Sequence, residues 1–358
     1  MDAGAKGFFI KGSVQLRGAS VKHQVRIEEV EMDALVQYGV NWIVAIQALG
    51  GWLEEPMQFF SFLGTQDFFF LVLPLIYWSI DARLGLRVAF TLLASVSVNY
   101  YLKLWFAGPR PYWVSENVKA LSAETSFGMP SGHAQHAVAV WGTLASASAR
   151  FWKWTAVALI FLIGFSRLYL GVHFLHDVLA GWIIGGALLW AFLRYWDTVA
   201  AWLRTKSARR QAALAFVVSI VMIALGWVSV NRLAGYVFPA AYEANALRSS
   251  DVTPDPISLE DIFTAAGTFF GMAVGAAWIA SQGGYRADGS GGKRALRFFV
   301  GLIGVLILWR GLGMVFPTGE NPTAYLLRYV RYGLVGFWII GGAPWMFFRL
   351  KLANAPEA

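Results

Sequence analysis

Three short clusters in this 358-residue chain carry side chains suited to gripping and transferring a polyvalent anion. The first runs KLWFAGPRP from Lys103 to Pro111, the second PSGH from Pro130 to His133, and the third SRLYLGVHFLHD from Ser166 to Asp177. Lys103, Arg110 and Arg167 bring three cations together with few acids to pair them. Guanidinium forks match phosphate oxygens in pairs, and an ammonium adds a mobile point charge. Ser131 and Gly132 fall where a helix is expected to open after Pro130. Free backbone N–H groups and the positive end of the helix dipole would add an anion site there. Together these groups would stabilise the equatorial oxygens of a phosphoryl group in transfer. His173 and Asp177 are four residues apart and share a face of a helical turn. A carboxylate beside an imidazole fixes its tautomer and stabilises the imidazolium, which suits a nucleophilic or general-base histidine. His133 comes from another segment, so one imidazole can attack phosphorus while the other protonates the leaving oxygen.

Taken singly, each cation reads as a side chain snorkelling to an interface, and His173 with Asp177 as a structural hydrogen bond. Their fixed order, spacing and common membrane side point instead to one site. His136 and His176 belong to no such pattern and read as local polar contacts. Tyr112 and Trp113 fit a pocket mouth or an interfacial belt equally well.

The elements that must hold these residues are membrane spans. Hydrophobic residues make up 57% of the chain and charged residues 14%, well below the ~25% charge of a soluble domain. Seventeen Trp and 27 Phe suit a protein with many lipid interfaces. Cysteine is absent, which excludes disulfides, thiol nucleophiles and thiolate metal sites. The net charge of +8 belongs with basic inner loops, and no nucleic-acid partner is expected. Nine runs approach the ~20 apolar residues of a span: 59–80, 86–107, 131–149, 152–172, 177–195, 211–231, 261–281, 296–316 and 328–348. Before them, 33–53 is shorter and more polar. Leu35, Val36, Val40, Ile43, Val44 and Ala48 recur there at helical spacing, which favours an interfacial amphipathic helix over a tenth span. The first 31 residues are polar and basic and read as a tail, with no apolar run of signal-peptide length.

Lys and Arg accumulate in alternate loops, at Arg83 and Arg87, Arg150 and Lys153, Arg194 to Arg210, Arg286 to Arg297, and Arg349 with Lys351. The positive-inside rule makes these loops cytoplasmic. All three clusters then lie on the extracytoplasmic side. The expected organisation is a tail and surface helix over 1–56, a five-span core over 57–196, a basic linker over 197–210 and a four-span extension over 211–358. Gly181 with Gly185, and Gly267 with Gly271 and Gly275, read as helix-packing seams.

The three clusters resemble the signature of the type 2 phosphatidic acid phosphatase superfamily, which also contains glucose-6-phosphatase and the vanadium haloperoxidases. That signature is Lys-x6-Arg-Pro, Pro-Ser-Gly-His and Ser-Arg-x5-His-x3-Asp, and every defining position is matched. The resemblance covers about 59–195. It implies an all-α polytopic membrane phosphatase, a helical-bundle core with a C-terminal helical extension. In that family pattern His173 forms a phosphohistidine, Asp177 orients it and His133 releases the alcohol. Lys103, Arg110, Ser131, Gly132 and Arg167 would hold the phosphate. No metal or other cofactor is implied. The expected partners are the bilayer and a phosphorylated lipid, phosphatidate-like or a polyprenyl diphosphate. A lipid phosphotransferase and a sugar-phosphate hydrolase are the alternatives on the same residues.

Overall fold

The computed structural model describes residues 34–354; the N-terminal tail lies outside them. The described residues form helices and no strand. Helix α1 (Ala34–Gln47) is 14 residues long, about 21 Å at 1.5 Å per residue, too short to cross a ~30 Å hydrocarbon core. Val40 and Ile43 on its inner face are buried, while Tyr38 and Trp42 are exposed. Gln47 at its end donates to Lys119 O (2.8 Å) and Tyr169 O (3.1 Å). The expected amphipathic helix is thus laid over the loops that carry the chemistry.

Next, α2 (Glu54–Phe62) and α3 (Gln66–Leu75) are joined by a 50° bend rather than forming one straight span. Thr65 restarts the second half as an N-cap, its hydroxyl accepting from Phe68 N at 3.1 Å. A π turn, Ile76–Ile80, follows. Helix α4 (Ala82–Phe106) opens on Asp81, whose carboxylate accepts from Arg83 N and Leu84 N, and closes on Ala107 at φ 47°. The short α5 (Pro111–Val114), α6 (Gly132–Ser146), α7 (Arg150–Tyr169) and α8 (Leu175–Arg204) complete the first half. The basic stretch expected as a linker is helical on both sides of a turn at 205–207, because α8 runs to Arg204 and α9 (Ala208–Asn231) begins at once. After α10 (Ala240–Ser250) come α11 (Glu260–Ser281), α12 (Gly291–Leu306), a second π turn (Ile307–Gly311), α13 (Leu312–Val315), α14 (Pro322–Phe337), a third π turn (Trp338–Gly342) and α15 (Ala343–Arg349).

Five of the described helical stretches are long and apolar enough to span a bilayer: α7, α8, α9, α11 and the continuous 291–315. The bent α2–α3 pair makes a sixth. By this measure the chain is an integral membrane protein with fewer qualifying spans than the nine apolar runs. The shortfall has local causes. Helix α4 carries Arg83, Arg87, Asn99 and Lys103 along its length, α6 has 15 residues, and α14 has 16 residues that include Arg328 and Arg331.

Glycine lets the helices approach closely where the seams were expected. A Cβ at Gly181 or Gly185 of α8 would come within 2.7 Å of Ser131 O or Gln135 O at the start of α6. On α11, a Cβ at Gly271 would lie 1.9 Å from Gly333 O of α14. Gly271→Leu should therefore destabilise the fold by about 1–3 kcal/mol through overpacking. Gly186→Ala, which meets open space, should leave the melting temperature in detergent unchanged. Equal melting temperatures for the two variants would show that the α11–α14 seam is slack.

Candidate functional site

The three clusters converge at one end of the bundle. Lys103 lies in the last turn of α4, Arg110 just before α5, and Arg167 in the last turn of α7. Arg110 is fully buried, and its guanidinium meets acceptors in several directions. Nε donates to Ser126 O (2.6 Å), Nη1 to Val172 O (2.9 Å), and Nη2 to Phe127 O (3.1 Å) and Ser126 Oγ (3.2 Å). Nη1 also lies 3.3 Å from His173 Nε2. Lys103 Nζ donates to the same strip of loop, to Phe127 O (2.7 Å) and Ser126 Oγ (2.8 Å).

His173 stands in the turn between α7 and α8, almost wholly buried. Its Nδ1 faces Asp177 Oδ2 at 3.3 Å. An arginine only donates, so the Arg110 contact requires a lone pair on Nε2, and the ring proton then sits on Nδ1 toward Asp177. Burial, followed by the nearby charges of Arg110, Arg167 and Lys103, pushes His173 well below the ordinary imidazole value. The ring is therefore neutral at neutral pH, with Nε2 free to attack. Asp177 Oδ2 also accepts from Phe174 N at 2.9 Å, which fixes the carboxylate at the head of α8. A Cβ at Gly128 would lie 3.2 Å from that oxygen and 2.7 Å from Pro109 O, so only glycine leaves the loop room to pass.

His133 lies in the first turn of α6, half-buried, with its ring over the α2–α3 bend. A Cβ at Gly64 would come within 3.3 Å of its Cδ2. Ser131 differs from expectation. It is fully buried, its amide donates to Asp177 O (2.9 Å), and its hydroxyl caps α6 by accepting from Ala134 N at 3.5 Å. The amides left over for an anion are those of Gly132 and His133, which have no carbonyl of their own helix to bond.

Glu124 was not foreseen, and it corrects the picture of three cations short of acids. Its carboxylate accepts from Arg167 Nη2, and its other oxygen lies 3.7 Å from Arg110 Nη2. Burial raises its pKa, but Arg110 and Arg167 outweigh that and hold it below the usual carboxylate range. No spacing rule marks Glu124; its only signal is being an acid in the short loop between two cationic clusters. Arg167 Nη1 also donates to Ser61 at the end of α2. Tyr112 and Trp113 form neither mouth nor belt. Both are buried core residues, with the Tyr112 hydroxyl donating to Glu124 O (2.8 Å) and Trp113 packed edge-on against Phe238. His136 meets Ser95 Oγ (2.9 Å), and His176 stacks on Phe174 while its Nε2 lies 3.3 Å from Asp177 Oδ1, so its polar contact is with a residue of the third cluster.

The apolar helices define an integral membrane protein, and at one end of its bundle histidine, carboxylate and arginine side chains are buried together. The PAP2 superfamily model matches residues 84–201, and the PAP2 superfamily phosphatase transmembrane extension matches 263–355. Phosphatidylglycerophosphatase B of Bacillus subtilis (strain 168) is 32% identical over 152 residues, covering 37% of this chain and 70% of the relative. Glucose-6-phosphatase 3 of Bos taurus is 28% identical over 185 residues, 44% of this chain and 53% of the relative. The Mus musculus protein of that name is 23% identical over 360 residues, 91% of this chain and 99% of the relative. The chain belongs to the PAP2 superfamily. Its match to the bovine relative spans about half of that protein's length.

Glu124 is the carboxylate that meets both Arg167 and Arg110. Glu124→Ala should leave two guanidinium groups underpaired and cost about 2–4 kcal/mol, less than a fully buried pair because Glu124 is partly exposed. Inorganic phosphate should then raise the melting temperature of the variant more than that of the parent chain. A variant indifferent to phosphate would place Glu124 outside the anion position.

Proposed function

We propose that this chain is a metal-independent membrane phosphatase that cleaves a phosphoester or phosphoanhydride of a membrane-associated substrate through a phosphohistidine. The observation that carries this reading is the placement of His173 Nε2 against Arg110. The nucleophile's lone pair faces a guanidinium that would also hold the phosphoryl oxygens. In the first step Nε2 bonds to phosphorus as the bond to the leaving oxygen breaks, and His133 supplies the proton to that oxygen. Asp177 keeps the Nδ1 proton and stabilises the positive ring that forms. In the second step His133 takes a proton from water, which attacks phosphorus, and phosphate leaves with both rings restored. Lys103, Arg110, Arg167 and the first-turn amides at Gly132 hold the transferring oxygens, and Ser131 sets that turn.

Two substrate readings have separate support. Identity to phosphatidylglycerophosphatase B favours a phosphorylated lipid. The near full-length alignment with mouse glucose-6-phosphatase 3 favours a sugar phosphate. Phosphate release from a panel of lipid and sugar phosphates in EDTA separates them, and transfer without free phosphate would reveal a phosphotransferase.

We further infer nine spans, a catalytic core over 57–196 and an extension over 211–358, with the site on the extracytoplasmic face. The Lys and Arg bias of the opposite loops supports that orientation. In this reading α4 and α6 tolerate polar residues because other helices surround them.

His173→Ala should abolish turnover and any acid-labile phosphoenzyme, whereas His133→Ala should slow turnover by roughly 10²–10⁴. Ordinary activity in either variant removes the assignment. Because the chain has no cysteine, one introduced within 232–260 gives an unambiguous label. It should react with an impermeant thiol reagent on intact cells, and labelling within 194–210 instead would invert the orientation.

A further inference from the structure

The C-terminal extension holds two arginines on apolar helices, and neither is neutralised by another described residue. Arg310 lies in the π turn between α12 and α13, about 8 Å from the end of that span, and Arg331 lies mid-way along α14. The third arginine of the neighbourhood, Arg328, is paired with Glu260. Among the described residues neither Arg310 nor Arg331 has a carboxylate within ion-pair distance, and Arg331 Nε is buried without a hydrogen-bond partner. Unpaired cations on apolar membrane helices are costly and point to a binding role.

The surroundings are built to present these two groups together. Arg310 lies over the Trp309 ring at 5.6 Å, and Arg331 over the Tyr332 ring at 4.9 Å. Trp309 Nε1 donates to the Tyr332 hydroxyl at 3.3 Å, which ties the two supporting rings to each other across the helices. Gly313 provides the notch for the second guanidinium, since a Cβ there would lie 2.7 Å from Arg331 Nη1. The π turn adds a residue to the helical turn that carries Arg310, a distortion frequent at functional sites. Between the two arginines is a crevice of about 390 Å³, lined by Trp309, Arg310, Gly313, Met314 and Arg331. It opens on apolar surface, with Met314 and Val315 at 83% and 77% exposure.

We propose that this crevice binds the phosphodiester headgroup of an acidic phospholipid, at a site separate from the His173 cradle. Two guanidinium forks receive the phosphate oxygens, and the adjoining apolar surface takes the acyl chains. That surface is the reason to assign a lipid and not a free anion. The site lies at the same end of the bundle as the catalytic loop. Arg328 on α14 reaches Glu260 at the start of α11, and Asp255, just before it, donates its amide to Thr125 O.

Native mass spectrometry of the full chain in neutral detergent tests this, with orthovanadate present to occupy the catalytic cradle. The chain should retain one phosphatidylserine at roughly ten-fold lower concentration than phosphatidylcholine, about 1.4 kcal/mol of preference. Arg310→Gln with Arg331→Gln should erase that preference, and turnover of water-soluble p-nitrophenyl phosphate should stay at the parent level. Arg310→Gln alone alters an exposed side chain, so it keeps the fold and should still weaken phosphatidylserine retention several-fold. Equal retention of the two lipids by the parent chain, or unchanged retention in the variants, overturns the proposal. Displacement of the lipid by inorganic phosphate at matching concentration would also overturn it, since the site would then be one for free anions.

Discussion

A guanidinium buried away from water needs an acceptor for its N–H groups, and the catalytic end is arranged around meeting that need for Arg110. Its partners are Ser126, Phe127, Val172 and His173, from two loops far apart in sequence. Satisfying one cation therefore fixes the relative position of the α5–α6 loop and the α7–α8 turn. The same contacts aim the His173 lone pair and leave Asp177 to hold the opposite nitrogen. Packing alone would not set these directions, because apolar contacts are not directional.

Lys103 and Arg167 extend the arrangement. Both reach the segment 124–127, Lys103 through Ser126 and Phe127, Arg167 through Glu124. The loop thus meets the cations with a carboxylate and two backbone carbonyls. In the proposed reaction an arriving phosphoryl group would have to replace some of those acceptors. The energetic question for this site is an exchange of one anion for another, and not the capture of an anion by bare charge. Glu124 and the loop carbonyls keep these groups from being a cluster of uncompensated cations in a low-dielectric setting.

Much of this was legible in the residues because the chemistry constrains spacing. Arg110, Arg167, His173 and Asp177 were readable as a set, and their side chains do meet, Arg167 through Glu124. The glycine seams at Gly181 and Gly271 were readable because close helix approach leaves a four-residue period. What stayed hidden has no period. Glu124 sits in an irregular loop where any residue is locally acceptable. Tyr112 and Trp113 looked like interface aromatics because burial beneath a loop from the other half of the chain has no local mark. The α2–α3 bend and the π turns were also invisible, since apolar runs read the same whether the helix continues straight or breaks. Ser131 was legible as a helix start, but not that Asp177 O would take its amide.

The loop between α9 and α11 gives the two halves of the chain a shared fate. Phe238 packs on Trp113, Tyr236 on Phe127, Asn245 donates to Trp113 O, and the Ala120 amide donates to Ser249. Phe127 in turn supplies the carbonyl that both Lys103 and Arg110 hold. A chain shortened to its first 200 residues would keep every motif yet lose the outer brace of the segment those motifs lean on. The segment between α9 and α11 thus packs as an outer wall on the loop that Lys103 and Arg110 hold, rather than standing apart as a detachable anchor.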